Sequence, residues 1–180
     1  MIKLVIDVSD ILKEKGSSKE FSGSQPLEDI IYQGERIGLL GPVSVSGHIT
    51  NTGKLLVLDA DAVAKLSLQC ARCTKRYDKE LEFSFTARLS KVGDPEDPDI
   101  FLYEGEVVDL KDIILEFLLL ELPMRRQCSE ECKGLCPYCG RDLNIEQCQC
   151  EENVEHQEER VVDPRLLALK KALFANGEEV

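Results

Sequence analysis

The chain has 180 residues, 43% of them hydrophobic, enough for one buried core with a small appendage. Its longest apolar run, Ile113 to Leu122, is broken by Glu116 and Glu121, which excludes a helix able to cross a bilayer. The formal charge of −12 repels nucleic acid at long range, so any such contact requires a locally basic patch.

In chain order, Leu4, Ile6 and Val8 alternate as in an early strand, and Leu27 to Gln33 reads as a short helix. Val43, Val45, Gly47 and Ile49 alternate with Ser44, Ser46, His48 and Thr50, and Asn51-Thr52-Gly53 turns the chain into a strand from Lys54 to Leu58. Further strands are expected at Ala64 to Gln69 and at Leu81 to Leu89, where Leu81, Phe83 and Phe85 alternate with Glu82 and Ser84. Cys70 and Cys73 then sit at a hairpin tip. Residues 93–99 are a loop by their glycine, prolines and acids. Asp109 can cap a helix that carries Ile113, Ile114, Phe117 and Leu118 on one face, stops at Pro123 and covers the sheet. Glu151, Glu152, Glu155, Glu158 and Glu159 form an acidic linker. Asp163-Pro164 then starts a last helix, with Leu166, Leu169 and Leu173 at helical spacing before Gly177. Both helical stripes are expected to pack in the core or against another subunit.

The expected fold is α+β: an antiparallel β-sheet of hairpins covered by helices, with a C-terminal cysteine-rich zinc-knuckle module. Residues 1–123 supply the sheet and its covering helix, 124–150 the module packed on it, and 151–180 the acidic linker and final helix.

The eight cysteines form four close pairs: Cys70/Cys73, Cys128/Cys132, Cys136/Cys139 and Cys148/Cys150. Zinc takes four soft ligands at tetrahedral corners, and a thiolate pair in a tight turn supplies two of them at little entropic cost. Two closed tetrathiolate sites, hence two zinc ions, are the expectation. In Cys136-Pro137-Tyr138-Cys139-Gly140 the proline stiffens the turn and Gly140 permits the positive φ that aims amides at the sulfurs. Disulfides are the weaker reading, because Met1-Ile2-Lys3-Leu4 opens no signal peptide and a reducing cytosol is expected. Locality groups Cys136, Cys139, Cys148 and Cys150, leaving Cys70 and Cys73 to close over Cys128 and Cys132, which would share a face on one helical turn. The other grouping joins the two C-x-x-C knuckles, 70/73 with 136/139.

Eight thiolates and two zinc ions take the charge to roughly −16. Residues 65 to 91 nevertheless hold seven cations against three carboxylates, a formal excess of +4. Arg72, Lys75, Arg76 and Lys79 surround the first knuckle, with Tyr77 among them and Arg125 and Arg126 ahead of Cys128. This set has the chemistry to grip phosphate and stack on a base. It equally has the chemistry to offset thiolate charge and solvate a hairpin. Catalytic constellations are scarce. His48 lies on a strand pattern and His156 in the glutamate run, and the glycines of residues 34–41 end in no Gly-Lys-Ser/Thr. A non-enzymatic protein is expected.

The segments Gln69-Cys70-Ala71-Arg72-Cys73, Val107-Val108-Asp109-Leu110 through Glu121-Leu122-Pro123-Met124, Gly134-Leu135-Cys136-Pro137-Tyr138-Cys139-Gly140-Arg141-Asp142-Leu143-Asn144, Cys148-Gln149-Cys150 and Asp163-Pro164-Arg165-Leu166 together resemble the YceD family of large ribosomal RNA subunit accumulation proteins. The resemblance implies a cytoplasmic factor in large-subunit rRNA processing and ribosome assembly, whose partner is precursor rRNA or a pre-ribosomal particle. Family members that lack part of the cysteine set imply that metal supports this version of the fold rather than defining the activity. Two other readings remain: an acidic escort for a basic ribosomal protein, and a zinc store or thiol redox sensor.

Overall fold

The computed structural model describes residues 4–93 and 97–150. The chain forms two compact units, Met1–Cys132 and Lys133–Val180. In chain order the elements of the first are β1 (Val5–Asp7), a 3-10 turn (Ile11–Lys13), β2 (Ser18–Gln25), β3 (Ile30–Tyr32), β4 (Glu35–Leu39), β5 (Val43–Asn51), β6 (Leu56–Gln69), β7 (Arg76–Ser90), β8 (Ile100–Leu102), β9 (Val107–Asp109) and α1 (Lys111–Leu120).

β6 is the spine of a mainly antiparallel seven-stranded sheet. All 14 of its residues pair with β7, from Leu56↔Leu89 to Gln69↔Arg76. Its opposite edge is divided: β5 takes Leu56 to Val63, and β4 takes Leu66 and Ser67. β2 lies outside β5, β3 outside β4, and β8 runs parallel to the end of β7. β1 and β9 form a separate two-stranded ribbon.

Alternation decides which face is buried, because successive side chains of a strand point to opposite sides. Leu56, Leu58, Ala60, Ala62, Ala64, Leu66 and Leu68 of β6 are all buried. Phe83, Phe85, Ala87 and Leu89 of β7 join the same core, with Ile6, Val8, Val108, Leu110, Ile113, Ile114 and Leu118 from the ribbon and α1. Phe85 stacks on Phe117 of the helix at 4.8 Å between ring centroids. Each large side chain removed from water contributes about 1.5–3 kcal/mol, so this face fixes where α1 lies. The other face carries Ser46, Asp59, Asp61, Ser84 and Thr86. There the Thr86 hydroxyl donates to Asp59 at 2.7 Å and the Ser84 hydroxyl to Asp61 at 2.6 Å.

Two expectations about the sheet are corrected. Leu27 to Gln33 is not a helix: Ile30–Tyr32 pairs with Glu35–Leu39 across Gln33-Gly34, whose φ values of +52° and +81° make the two-residue hairpin turn that matches strand twist. The strands expected at Lys54 to Leu58 and at Ala64 to Gln69 are not separate but one continuous strand, β6, which begins at Leu56. Among the described residues one α-helix, α1, covers the sheet. The cap position of that helix falls on Leu110 and not on Asp109, whose side chain, at the end of β9, accepts from the Lys111 amide at 2.9 Å, and the helix ends ahead of Pro123. The acidic run and the helix expected from Asp163 lie outside the described residues.

In the second unit, short backbone pairings build a knuckle. The Lys133 amide donates to the Asn144 side chain at 2.8 Å, Leu143 to the Gly134 carbonyl at 2.9 Å, and Cys136 to the Arg141 carbonyl at 2.7 Å, around a Leu135↔Asp142 bridge.

Candidate metal centres

The β6–β7 ladder closes at Gln69↔Arg76, leaving residues 70–75 as the tip. The Cys70 amide donates to the Lys75 carbonyl and the Thr74 amide back to Cys70, both at 2.9 Å, which turns Cys70 and Cys73 toward one point. The segment after α1 reaches the same tip, where the Ala71 amide donates to the Arg126 carbonyl at 2.7 Å. Arg126 itself forms an ion pair with Glu35 of β4. Cys128 and Cys132 arrive with this segment on a turn closed by the Cys132 amide on the Ser129 carbonyl at 3.2 Å, not on the helical turn expected from their spacing.

The sulfurs of Cys70, Cys73, Cys128 and Cys132 lie within 4.8 Å of one another, and so do those of Cys136, Cys139, Cys148 and Cys150. The knuckles 70/73 and 136/139 are therefore in different quartets. In the first quartet Cys70 and Cys132 are 3.8 Å apart and Cys73 and Cys128 are 3.7 Å apart. A tetrahedron with metal–sulfur bonds of about 2.3 Å has edges of about 3.8 Å, so these sulfurs stand where a bound ion would need them. Four thiols leave no position for water or substrate, which suits a structural ion.

The titration of the sulfurs points the same way. Burial opposes ionisation of Cys70, but the amides of Cys73, Arg72 and Cys128 outweigh it and bring its thiol down to about 6. The Lys75 amide favours a Cys73 thiolate, yet burial and the neighbouring sulfurs prevail and push that thiol up to about 12. Cys128 is raised, first by the Cys132 sulfur and then by burial. In the second quartet the amides of Cys139 and Tyr138 lower Cys136 to about 6, while the Cys139 sulfur and burial raise Cys150 to about 12. One sulfur of each quartet ionises readily and the next charge is resisted. A divalent cation supplies what a set of four thiolates lacks.

Around the first quartet, Arg72, Lys75, Arg76, Lys79 and Arg125 are exposed. Arg76 donates to the Arg36 carbonyl at 3.3 Å. Arg126, with 17% of its side chain exposed, is committed to Glu35, and Tyr77 packs against the core. Away from the tip, Lys65 pairs with Glu80 at 3.2 Å and Arg88 with Asp97 through two bonds of 2.5 and 2.9 Å. The Arg126–Glu35 pair, 91 positions apart, went unforeseen, because no local pattern marks so distant a partner. His48 lies 3.5 Å from Asp59 on the outer face of the sheet, and His156 is outside the described residues. No helix among the described residues is long and apolar enough to cross a membrane.

The family described as large ribosomal RNA subunit accumulation protein YceD matches residues 58–173. The chain is 32% identical over 165 residues to the uncharacterized protein YlbN of Bacillus subtilis (strain 168), covering 89% of this chain and 91% of that one. Identity to the uncharacterized protein Mb2951c of Mycobacterium bovis is 21% over 172 residues, 89% of this chain and 80% of that one. The large ribosomal RNA subunit accumulation protein YCED homolog 1, chloroplastic, of Arabidopsis thaliana is 25% identical over 142 residues, 61% of this chain and 44% of that one. No solved structure matches.

Proposed function

The chain belongs to the YceD family of large ribosomal RNA subunit accumulation proteins, and from that premise we propose that it is a non-enzymatic ribosome-assembly factor contacting precursor large-subunit rRNA, or the particle forming on it, through the basic side chains at the β6–β7 tip. One observation carries this reading. Arg72, Lys75, Lys79 and Arg125 are exposed with no carboxylate partner among the described residues, whereas Lys65, Arg88 and Arg126 are each neutralised. Two zinc ions belong to the reading, one in each quartet, where they hold the tip and the second knuckle in shape. Closed shells of four sulfurs favour binding over catalysis. The net charge of −12 opposes RNA at long range, and a contact made by a few cations weakens as salt rises, which together keep it reversible during assembly in the cytoplasm.

Ultraviolet crosslinking with recovery of bound RNA, alongside sedimentation of the protein with precursor particles, tests the proposal. Large-subunit precursor reads should accumulate on the wild-type protein and fall to background when Arg72, Lys75, Arg76 and Lys79 are reversed to glutamate. Background reads on the wild-type protein would remove it.

The outer face of the sheet favours a second reading. Its carboxylates Asp59 and Asp61 are held in place by Thr86 and Ser84, and its cations Lys65 and Arg88 are already paired, which suits a basic ribosomal protein. Under that reading the same four charge reversals leave protein-partner binding intact.

A further inference from the structure

We infer that the β6–β7 tip recognises the phosphate backbone of double-helical RNA and not unstacked bases, an inference that rests on the RNA-contact reading above. Sheet proteins that read single-stranded RNA stack bases on exposed aromatic rings, whereas duplex RNA is held by shape and by phosphate and 2′-hydroxyl contacts. Every phenyl and phenol ring among residues 4–132 is buried or packs against the core, and the one imidazole, His48, lies away from the tip beside the Asp59 carboxylate at 3.5 Å. At the tip the rings in question are Tyr77, turned onto the core beside Leu68, and Tyr32 on the neighbouring hairpin, which packs inward likewise. The open face of the sheet, where a stacking platform would stand, offers Ser46, Asp59, Asp61, Ser84 and Thr86, and its His48 is turned to the Asp59 carboxylate. Those groups repel or merely solvate a nucleic acid.

What the tip does present is unpaired positive charge on rigid backbone. Arg72 and Lys75 lie within the six-residue turn, and Lys79 stands opposite Leu66 three pairs below the end of the ladder. Arg125 is delivered to the same place by the Ala71–Arg126 hydrogen bond. Four exposed cations, with the nearby Tyr77 ring packed on the core, make contacts that position a helix and carry no base sequence.

The test uses the full chain loaded with zinc and measures fluorescence anisotropy against an RNA duplex of about 20 base pairs, a size on the scale of known duplex-binding modules, and against each of its single strands. The duplex should bind at least tenfold more tightly than either strand, with little dependence on sequence. Its affinity should fall with salt at a log–log slope near −3.6, about −0.9 for each of four phosphate contacts. Arg72→Gln or Arg125→Gln should each reduce that slope by about one unit. Arg72→Lys and Arg125→Lys, which keep the charge but cannot stack, should retain affinity, and so should Tyr77→Leu with unchanged zinc content and circular dichroism. Tighter binding to single strands, or a tenfold loss in the Arg→Lys variants, overturns the inference and leaves the RNA-contact reading standing. Absence of binding to any RNA, with crosslinking also at background, overturns both.

Discussion

Thr74 occupies in the first knuckle the position that Gly140 occupies in the second. Each residue donates its amide to the carbonyl of the cysteine four positions earlier at 2.9 Å, Cys70 and Cys136 respectively. Each cysteine in turn donates to the carbonyl five positions on, at 2.9 Å to Lys75 and 2.7 Å to Arg141. The two turns share one backbone path, and both residues have left-handed φ, +59° at Thr74 and +73° at Gly140.

Glycine adopts that conformation freely, whereas a β-branched residue there costs about 1–2 kcal/mol. A hydrogen bond from the Thr74 hydroxyl to the Cys73 carbonyl at 2.7 Å offsets part of the cost. Thr74→Gly removes the strain but adds freedom to the unfolded chain, so a net gain of about 0.5 kcal/mol is expected. Gly140→Thr should lose about 1–2 kcal/mol, without a matching hydroxyl bond in place. Urea denaturation of the zinc-loaded variants reads both, and equal effects of the two substitutions would contradict the shared geometry.

The two quartets differ in exposure, and metal removal should follow that difference. Cys70, Cys73 and Cys132 are buried, whereas Cys139 is exposed and Cys148 and Cys150 are half-buried. A chelator reaches the second quartet first. Competition with a chromogenic chelator should show two phases of equal amplitude, one ion each. A Cys148→Ser, Cys150→Ser variant should lose the fast phase alone. Single-phase release would mean that exposure does not govern access, and native mass spectra without any bound ion would dismiss the centres altogether.

Loading the quartets should release protons, with a sign set by the shifted thiols. Cys73 and Cys128 are raised in the first quartet, Cys148 and Cys150 in the second, so all four hold their protons at neutral pH. Zinc binds thiolates and must displace those protons. At least two protons should therefore leave per ion at pH 7, and affinity should fall as pH falls. Cys70 and Cys136, lowered to about 6, are already ionised at pH 7 and add to the proton count only near and below pH 6. For the metal-free fold, a lowered thiol contributes stability that is complete above its ordinary value of 9.0 and is lost as pH descends toward 6. Zinc titration in weakly buffered solution measures the release, and a proton count independent of pH between 5 and 7 would refute this account.

The sequence displayed those features of the fold that are local and periodic. The Asn51-Thr52-Gly53 turn and the alternation of Val43 to Thr50 and Leu81 to Leu89 are visible because a half-buried strand repeats every two residues. Asp59-Ala60-Asp61-Ala62 hid the middle of β6, since alanine and aspartate are poor strand formers and only their burial in the sheet reveals that they continue the pattern. Ile30–Tyr32 passed for helix because three residues are too few to show a period, and its turn is Gln33-Gly34 in place of the commoner Asn-Gly. Spacing made the cysteine quartets readable but misled over Cys128 and Cys132, whose i, i+4 separation fits a helix that the chain does not form there. Long-range partners leave no such trace, as with Glu35 and Arg126.

Those partners separate two adjacent arginines. Arg126 is largely buried against Glu35, and its carbonyl holds the Ala71 amide, whereas Arg125 is exposed and has no carboxylate partner among the described residues. Removing a partly buried ionic side chain leaves its partner without its pair and its aliphatic stem without its packing. Because Glu35 is 43% exposed, solvent screens the pair, and Arg126→Met should cost only about 1 kcal/mol. That loss should appear in urea denaturation. Arg125→Met should leave stability within about 0.5 kcal/mol, as expected of a surface substitution. Binding to duplex RNA should reverse the order, with Arg125→Met weakening it severalfold and Arg126→Met affecting it only through the fold. If the two variants changed stability and RNA affinity in parallel, the division between a structural and a recognising arginine would fail.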